Sequence, residues 1–244
     1  MSQTARQLIA RTKAEKWKCL ELGNCELTNL IVQIPELCEL TELKNLNLSN
    51  NQLTNVSLLS SLTNLTELNL NDNQLIDVSG LSGLKGLTRL YLSYNQITNV
   101  SPLSELSALT TLHLNNNQLT DVSGLSGLNA LTTLWLEDNE LTDISALSGL
   151  STLKELWLNN NQLMDISVLS GLENLSKFYY YTKSKYNSNY WSFQDPDSGL
   201  VALRLQNRDI LRRGRRYTKE DFILAIIQEH GSSHPYIEWA NSQP

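Results

Sequence analysis

Residues Leu109 to Ala130 read LTTLHLNNNQLTDVSGLSGLNA, and this 22-residue stretch decides the fold because it recurs along the chain. The same step separates six asparagines: Asn51, Asn73, Asn95, Asn117, Asn139 and Asn161. Two columns of leucines keep it as well, from Leu46 to Leu156 and from Leu48 to Leu158. A fixed period of this length predicts a stack of similar units, none of which can bury its leucines without its neighbours.

Each copy has a core in which leucines alternate with variable residues. Leu112 and Leu114 flank His113, and this period of two predicts a short strand with the leucines pointing inward and His113 outward. Asn117 follows at the point where the chain turns, and its side-chain amide is suited to pair backbone groups that the bend leaves buried. The rest of the copy returns along the opposite side, with an Asp or Ser available to cap it.

The copies follow the pattern L-x-x-L-x-L-x-x-N-x-L, and the chain thereby resembles leucine-rich-repeat proteins over about two-thirds of its length. The 22-residue copies are most similar to the bacterial internalin-like and phosphatase-regulator-like class. The resemblance implies an α/β solenoid with a curved parallel sheet on its concave face, a bacterial source, and a binding scaffold. It does not identify the partner, because a fold does not fix a function.

The sequence divides into three predicted segments. Residues 1–16 form an N-terminal helical cap, with Leu8, Ile9 and Ala14 available to cover the first leucines. Residues 17–182 form the array, about seven repeats plus a terminal strand; its first copy is longer and has Cys25 where the others have Asn. Residues 183–244 lie outside the repeat and predict a small α+β capping or adaptor segment. Residues 1–175 have 9 basic and 18 acidic residues, whereas residues 176–244 have 10 and 7.

Function should lie in the variable strand positions, since the leucines only build the frame. Between the two strand leucines the residues change along the array from polar to aromatic: Glu21, Asn47, Asn69, Tyr91, His113, Trp135, Trp157 and Tyr179. At a strand spacing of about 4.8 Å, the last five form a stripe roughly 20 Å long. Trp135 and Trp157 are expected to be exposed, which is typical of an interaction surface.

The candidate partner-binding residues are the stripe and its neighbours: Tyr91, Tyr94, His113, Trp135, Glu137, Asp138, Trp157, Tyr179 and Tyr181. Acidic residues flank the stripe: Glu67, Asp72, Glu137, Asp138, Glu140 and Glu155. They favour a partner protein with basic residues near an apolar anchor. Two alternatives stay open: the rings only stack on one another, or the C-terminal segment covers them.

Composition excludes several other classes of function. A net charge of −6 argues against a nucleic-acid binder. No apolar run is long enough to cross a membrane. Three closely spaced cysteines, an odd number, are typical of a reducing compartment and predict a cytoplasmic protein. No catalytic, metal-binding or cofactor motif is present, so the chain is predicted not to be an enzyme. The alternative function is a targeting module for an enzymatic or effector activity in residues 183–244.

Overall fold

The structure is a computed structural model that describes residues 2–163, 168, 172, 174–183, 188–194, 204–205 and 208–209, with side chains as far as Tyr179. Its α-helices are α1 (Ser2–Glu15) and α2 (Leu30–Gln33). Its strands are β1 (Cys19–Glu21), β2 (Asn45–Asn47), β3 (Glu67–Asn69), β4 (Arg89–Tyr91), β5 (Thr111–His113), β6 (Thr133–Trp135), β7 (Glu155–Trp157), β8 (Lys177–Lys183), β9 (Ser188–Gln194), β10 (Arg204–Leu205) and β11 (Arg208–Asp209). Short 3-10 helices lie at Pro35–Glu39, Ser57–Ser61, Ser79–Leu81, Ser101–Leu103, Ser123–Leu125 and Ser145–Leu147.

The strands form one sheet in sequence order, β1 to β11. The pairs from β1–β2 to β7–β8 are parallel, which confirms the predicted parallel sheet of a repeat solenoid. Each strand leucine is aligned with the equivalent leucine of the next repeat, as Leu112 is with Leu134. From β8 onward the described pairs are antiparallel, so the sheet continues past the repeats.

The core is one continuous column of leucines that runs through the stack. The strand leucines from Leu46 to Leu156 are nearly inaccessible to solvent, and Phe178 takes the leucine position of β8. The regular 22-residue spacing of the asparagines has the predicted physical basis. Asn95 donates its amide N–H groups to the carbonyl oxygens of Leu70, Leu92 and Ser93 and accepts from the N–H of Leu75. Each buried asparagine therefore joins two neighbouring repeats through their backbones.

Helix α1 covers the first repeat, as predicted, but with a different face. Ala5, Ile9 and Thr12 are buried and Leu8 is half-buried, whereas Ala14 is exposed. The expectation for Ala14 was therefore wrong. Positions 5, 9 and 12 follow one another at the four- and three-residue spacing that places side chains on one face of a helix, and Ala14 lies off that face.

The side opposite the strands is built from the 3-10 helices. In three repeats an aspartate two residues before a serine accepts that serine's N–H and hydroxyl, as Asp121 does from Ser123 at 2.8 and 2.6 Å. The first repeat differs because its extra residues form α2, a single turn whose Ile31 and Val32 are exposed. The uniform return segments leave the concave face as the place where the repeats differ most.

Candidate functional site

The predicted stripe forms a ladder of rings on the concave face. This aromatic ladder consists of Tyr91, His113, Trp135, Trp157 and Tyr179, one ring from each of β4 to β8. The ring centroids of successive members lie 5.0, 3.8, 5.2 and 3.8 Å apart. His113 is stacked on Trp135 at an interplanar angle of 5°, and Trp157 is stacked on Tyr179 at 25°. The parallel register brings these residues together, since each occupies the same strand position.

The ring contacts change the expected exposure of the two indoles. Trp135 and Trp157 are half-buried, not exposed as expected, because each is packed against rings of the neighbouring strands. The faces of His113 and Trp135 that stack are closed to any other group. The stacked faces of Trp157 and Tyr179 are closed in the same way, so a partner cannot stack on these faces.

Charged side chains border the ladder at the first position of β3, β4, β7 and β8. Arg89 donates to Glu67, with Nη2 at 2.6 Å from the carboxylate oxygen. Glu155 accepts from the indole N–H of Trp157 at 2.7 Å and lies 3.5 Å from Lys177 Nζ. Two of the acids that flank the stripe in the sequence are thus matched by basic residues of the next strand, and their attraction for a partner is reduced.

Two buried polar groups have no hydrogen-bond partner among the described residues: the indole N–H of Trp135, within the ladder, and Oε2 of Glu137, beside it. Burial raises the pKa of Glu137 to about 7, and the neighbouring carboxylates of Asp138 and Glu155 add to this effect. Burial also lowers the pKa of His113 to about 4, although Glu155 opposes the change. At neutral pH His113 is uncharged, and Glu137 is only partly ionised.

Tyr94 and Asp138 lie off the ladder, in the loop that follows each strand. Both are in the left-handed backbone region, with φ of 56° and 53°. Asp138 accepts a hydrogen bond from the amide of Asn160 at 2.7 Å, whereas 54% of the Tyr94 surface is exposed. Tyr181 pairs through its backbone with Tyr190, and its side chain lies outside the described residues. Sequence reasoning missed the conformation at Tyr94, although a tyrosine in a column otherwise made of Asn and Asp was the signal for it.

Metal-binding and membrane-spanning segments can be assessed only for the described residues. Within the described ranges, no three residues of the types that ligate metals come together. No helix in that part of the chain is long and apolar enough to cross a membrane. Most of residues 183–244, the predicted α+β segment on which the alternative targeting function depends, lie outside the described residues.

Comparisons with known proteins agree with this architecture. The family model described as leucine-rich repeats in two copies matches residues 41–83, 63–105, 85–127, 107–150 and 129–174. Internalin C2 of Listeria monocytogenes is 33% identical, with a TM-score of 0.58 over 73% of this chain and 91% of that chain. The ectodomain of the Arabidopsis thaliana receptor kinase GASSHO1/SCHENGEN3 is 26% identical, with a TM-score of 0.52 over 58% of this chain and 18% of that chain.

No curated protein gives a significant match. The matched repeats cover more than half of the chain, and they coincide with the strands and buried asparagines described above. Such repeats generally serve as non-enzymatic scaffolds for protein–protein interaction. The chain belongs to the leucine-rich-repeat family.

Proposed function

We propose that this protein is a binding scaffold, not an enzyme, and that it holds a partner protein against the aromatic ladder on its concave face. The observation that carries the proposal is that the sheet does not need the aromatic rings. Leu48 N–H donates to Asn69 O at 2.8 Å where the column holds asparagines. Leu136 N–H donates to Trp157 O at the same 2.8 Å where the column holds tryptophans. The backbone hydrogen bonds between strands are the same in both halves of the array, so the rings have another use.

The asparagines show what a purely structural residue does at this strand position. Asn47 Oδ1 accepts the N–H of Ser49 at 2.9 Å, and Asn69 Oδ1 accepts the N–H of Asn71 at 3.0 Å. An asparagine therefore satisfies a backbone donor that the sheet leaves open, which an indole cannot do. Replacing it by Trp135 and Trp157 gives up this hydrogen bond and gains a half-buried aromatic surface, the kind that dominates binding hot spots.

The geometry of the ladder limits how a partner meets it. Because the faces of the inner rings are covered by each other, an apolar side chain of the partner packs across the ring edges. Among the flanking acids, Glu67 and Glu155 already contact basic residues. We propose that basic residues of the partner instead meet the acids at the ends of the strands, where Asp72 and Glu140 are exposed. The receptor kinase ectodomain whose repeats resemble these is in complex with Casparian strip integrity factor 2, which supports a binding function for this chain.

The test replaces the rings by the residue that the same column uses elsewhere. The double variant Trp135→Asn with Trp157→Asn introduces asparagine at the strand position where β2 and β3 already have one. The matched control, Lys85→Ala with Glu105→Ala, removes an exposed ion pair of 3.4 Å away from the strands. Each protein is immobilised and used to capture proteins from the source cells. A partner is a protein lost with the asparagine variant and retained with the control. The proposal is wrong if both variants capture the same proteins in the same amounts while circular dichroism shows both folded.

We further propose that the protein is cytoplasmic. Cys19, Cys25 and Cys38 are free thiols, and burial raises the pKa of Cys25, which slows its reaction with oxidants. Free thiols are typical of reducing compartments. Alkylation in intact cells with a membrane-permeant maleimide, followed by mass spectrometry, should label Cys19 as a reduced thiol. Recovery of Cys19 mainly in an oxidised form would contradict this location.

A further inference from the structure

One patch at the rim of the concave face stands apart from the aromatic ladder. We call Asp72, Tyr94 and Ile76 the rim patch. Tyr94 is 54% exposed and Ile76 is 57% exposed, and Asp72 is exposed beside them. A carboxylate, an aromatic ring and an aliphatic side chain are thus all accessible to solvent at the loops that follow β3 and β4.

The backbone at Tyr94 shows that its ring does not serve the fold. Equivalent loop positions in the six regular repeats all have a left-handed φ between 53° and 56°: Asn50, Asp72, Tyr94, Asn116, Asp138 and Asn160. Asn and Asp tolerate this conformation, whereas a bulky side chain is disfavoured in it. Because the ring of Tyr94 is mostly exposed, little burial compensates for the unfavourable backbone.

Backbone contacts between repeats place Asp72 and Tyr94 side by side. Asp72 N–H donates to Ser93 O at 2.9 Å, and Asn73 N–H donates to Tyr94 O at 3.2 Å. Asp72 and Tyr94 hold equivalent positions with φ of 55° and 56°, so their side chains leave neighbouring repeats, about 4.8 Å apart, in the same direction. Gln96 N–H donates to Leu75 O at 2.9 Å, and the next residue, Ile76, follows Asp72 by four positions in the same loop.

The charge of the rim patch is available to a partner. In the part of the chain that the structure describes, no basic side chain lies within ion-pair distance of Asp72. The ring of Tyr94 makes none of the stacking contacts of the ladder. A cation with a flat face and an aliphatic stem would complement all three side chains at once.

We propose that the rim patch binds an arginine side chain of the partner protein. The guanidinium plane stacks on the Tyr94 ring and donates to the Asp72 carboxylate, while the methylene groups pack on Ile76. Arginine fits better than lysine because a planar guanidinium can stack and form paired hydrogen bonds together. The inference rests on the proposed protein-binding function for the source of the arginine, but binding at the patch itself is testable without the partner.

The test titrates N-acetyl-arginine amide into the full chain carrying ¹³C-labelled isoleucine δ1 methyl groups, at constant ionic strength. N-acetyl-citrulline amide is the neutral probe of matched shape. Ile31 is an internal control, because it is 53% exposed and lies in α2, away from the patch. The expected result is a saturable shift of the Ile76 methyl with the arginine probe, with no comparable shift at Ile31 or with citrulline. Equal responses to the two probes, or an unresponsive Ile76, would overturn the inference.

Two variants test which side chains of the rim patch contribute to binding. Asp72→Asn and Tyr94→Asn should each weaken binding of the arginine probe about fivefold, which corresponds to about 1 kcal/mol. Tyr94→Asn should also raise the thermal midpoint, because asparagine suits the left-handed backbone. Glu105→Gln removes one exposed negative charge away from the patch and should leave binding unchanged; equal weakening by Glu105→Gln would mean that only net charge is sensed. If the patch fails while the Trp135→Asn and Trp157→Asn variant still loses a partner, only this inference is wrong.

Discussion

Glu137 gives the sharpest physical test of the concave face. Its pKa lies at about 7 against an ordinary value of 4.5, and a difference of one pKa unit corresponds to about 1.4 kcal/mol. The upper bound is therefore about 3.4 kcal/mol of stability at stake. Since the side chain is only half-buried, solvent screens part of this, and we expect about 1.5–2 kcal/mol.

The sign follows from proton binding. Between pH 4.5 and pH 7 the folded chain binds the Glu137 proton and the unfolded chain releases it, so the free energy of unfolding falls as the pH rises through this window. Glu137→Gln removes the ionisable group and should remove this fall. The measurement is urea unfolding at pH 5 and pH 8 for the wild type and the variant. The difference in unfolding free energy between the two pH values should be about 1.5–2 kcal/mol larger for the wild type.

The control for this experiment is Glu140→Gln, an exposed glutamate on the loop that follows Glu137. It changes the net charge by the same amount and should keep the wild-type pH dependence. If the wild type and Glu137→Gln show the same dependence on pH, the carboxylate is solvated in the folded chain and the reasoning from burial is refuted.

Three further predictions concern the frame and the ladder. Asn95→Ala removes four hydrogen bonds to buried backbone groups and should lower the free energy of unfolding by about 2–4 kcal/mol, whereas exposed Gln96→Ala should change little in the same urea titration. Gly80→Ala places a methyl group 2.8 Å from the backbone of the preceding repeat and should lower the free energy of unfolding by about 1–3 kcal/mol. The control is Gly83→Ala, whose methyl group meets open space. Equal thermal midpoints for the two variants would contradict the close approach at Gly80. Because the pKa of His113 is lowered to about 4, the stability that neutral His113 contributes should be lost as the pH falls from 6.5 to 4, opposing the gain at Glu137 over part of this range. The stability of the wild type relative to His113→Asn should therefore decrease as the pH falls, when unfolding of both is followed across that range.

Much of the frame could be predicted because it depends on residues that repeat. The leucines at 112 and 114 predict the strand, and the step of 22 residues predicts which leucine of the next strand lies beside each one. Asn95 was predicted to serve backbone groups, and its hydrogen bonds confirm this. The exception in the frame is Ala14, where the helical rotation of the cap decides which side is buried.

The alignment of the aromatic column was predictable from the sequence, but the exposure of its rings was not. Trp135 and Trp157 were expected to be exposed, and the stacking that half-buries them depends on side-chain rotamers of neighbouring strands. Of the two alternatives to partner binding, mutual stacking of the rings is observed. Stacking does not by itself explain why the rings are present, because β2 and β3 pair in the same parallel register with asparagines at this position.

The sequence by itself determined the repeat, the inward leucines, the asparagine turns and the aromatic column, because each follows from a period that one chain carries along its own length. The tertiary structure alone decided which ring faces are covered, that Glu137 has a pKa of about 7, and that Tyr94 lies beside Asp72. The ring contacts and the pairing of Tyr94 with Asp72 join residues 22 positions apart. The burial that raises the pKa of Glu137 depends on how neighbouring repeats pack.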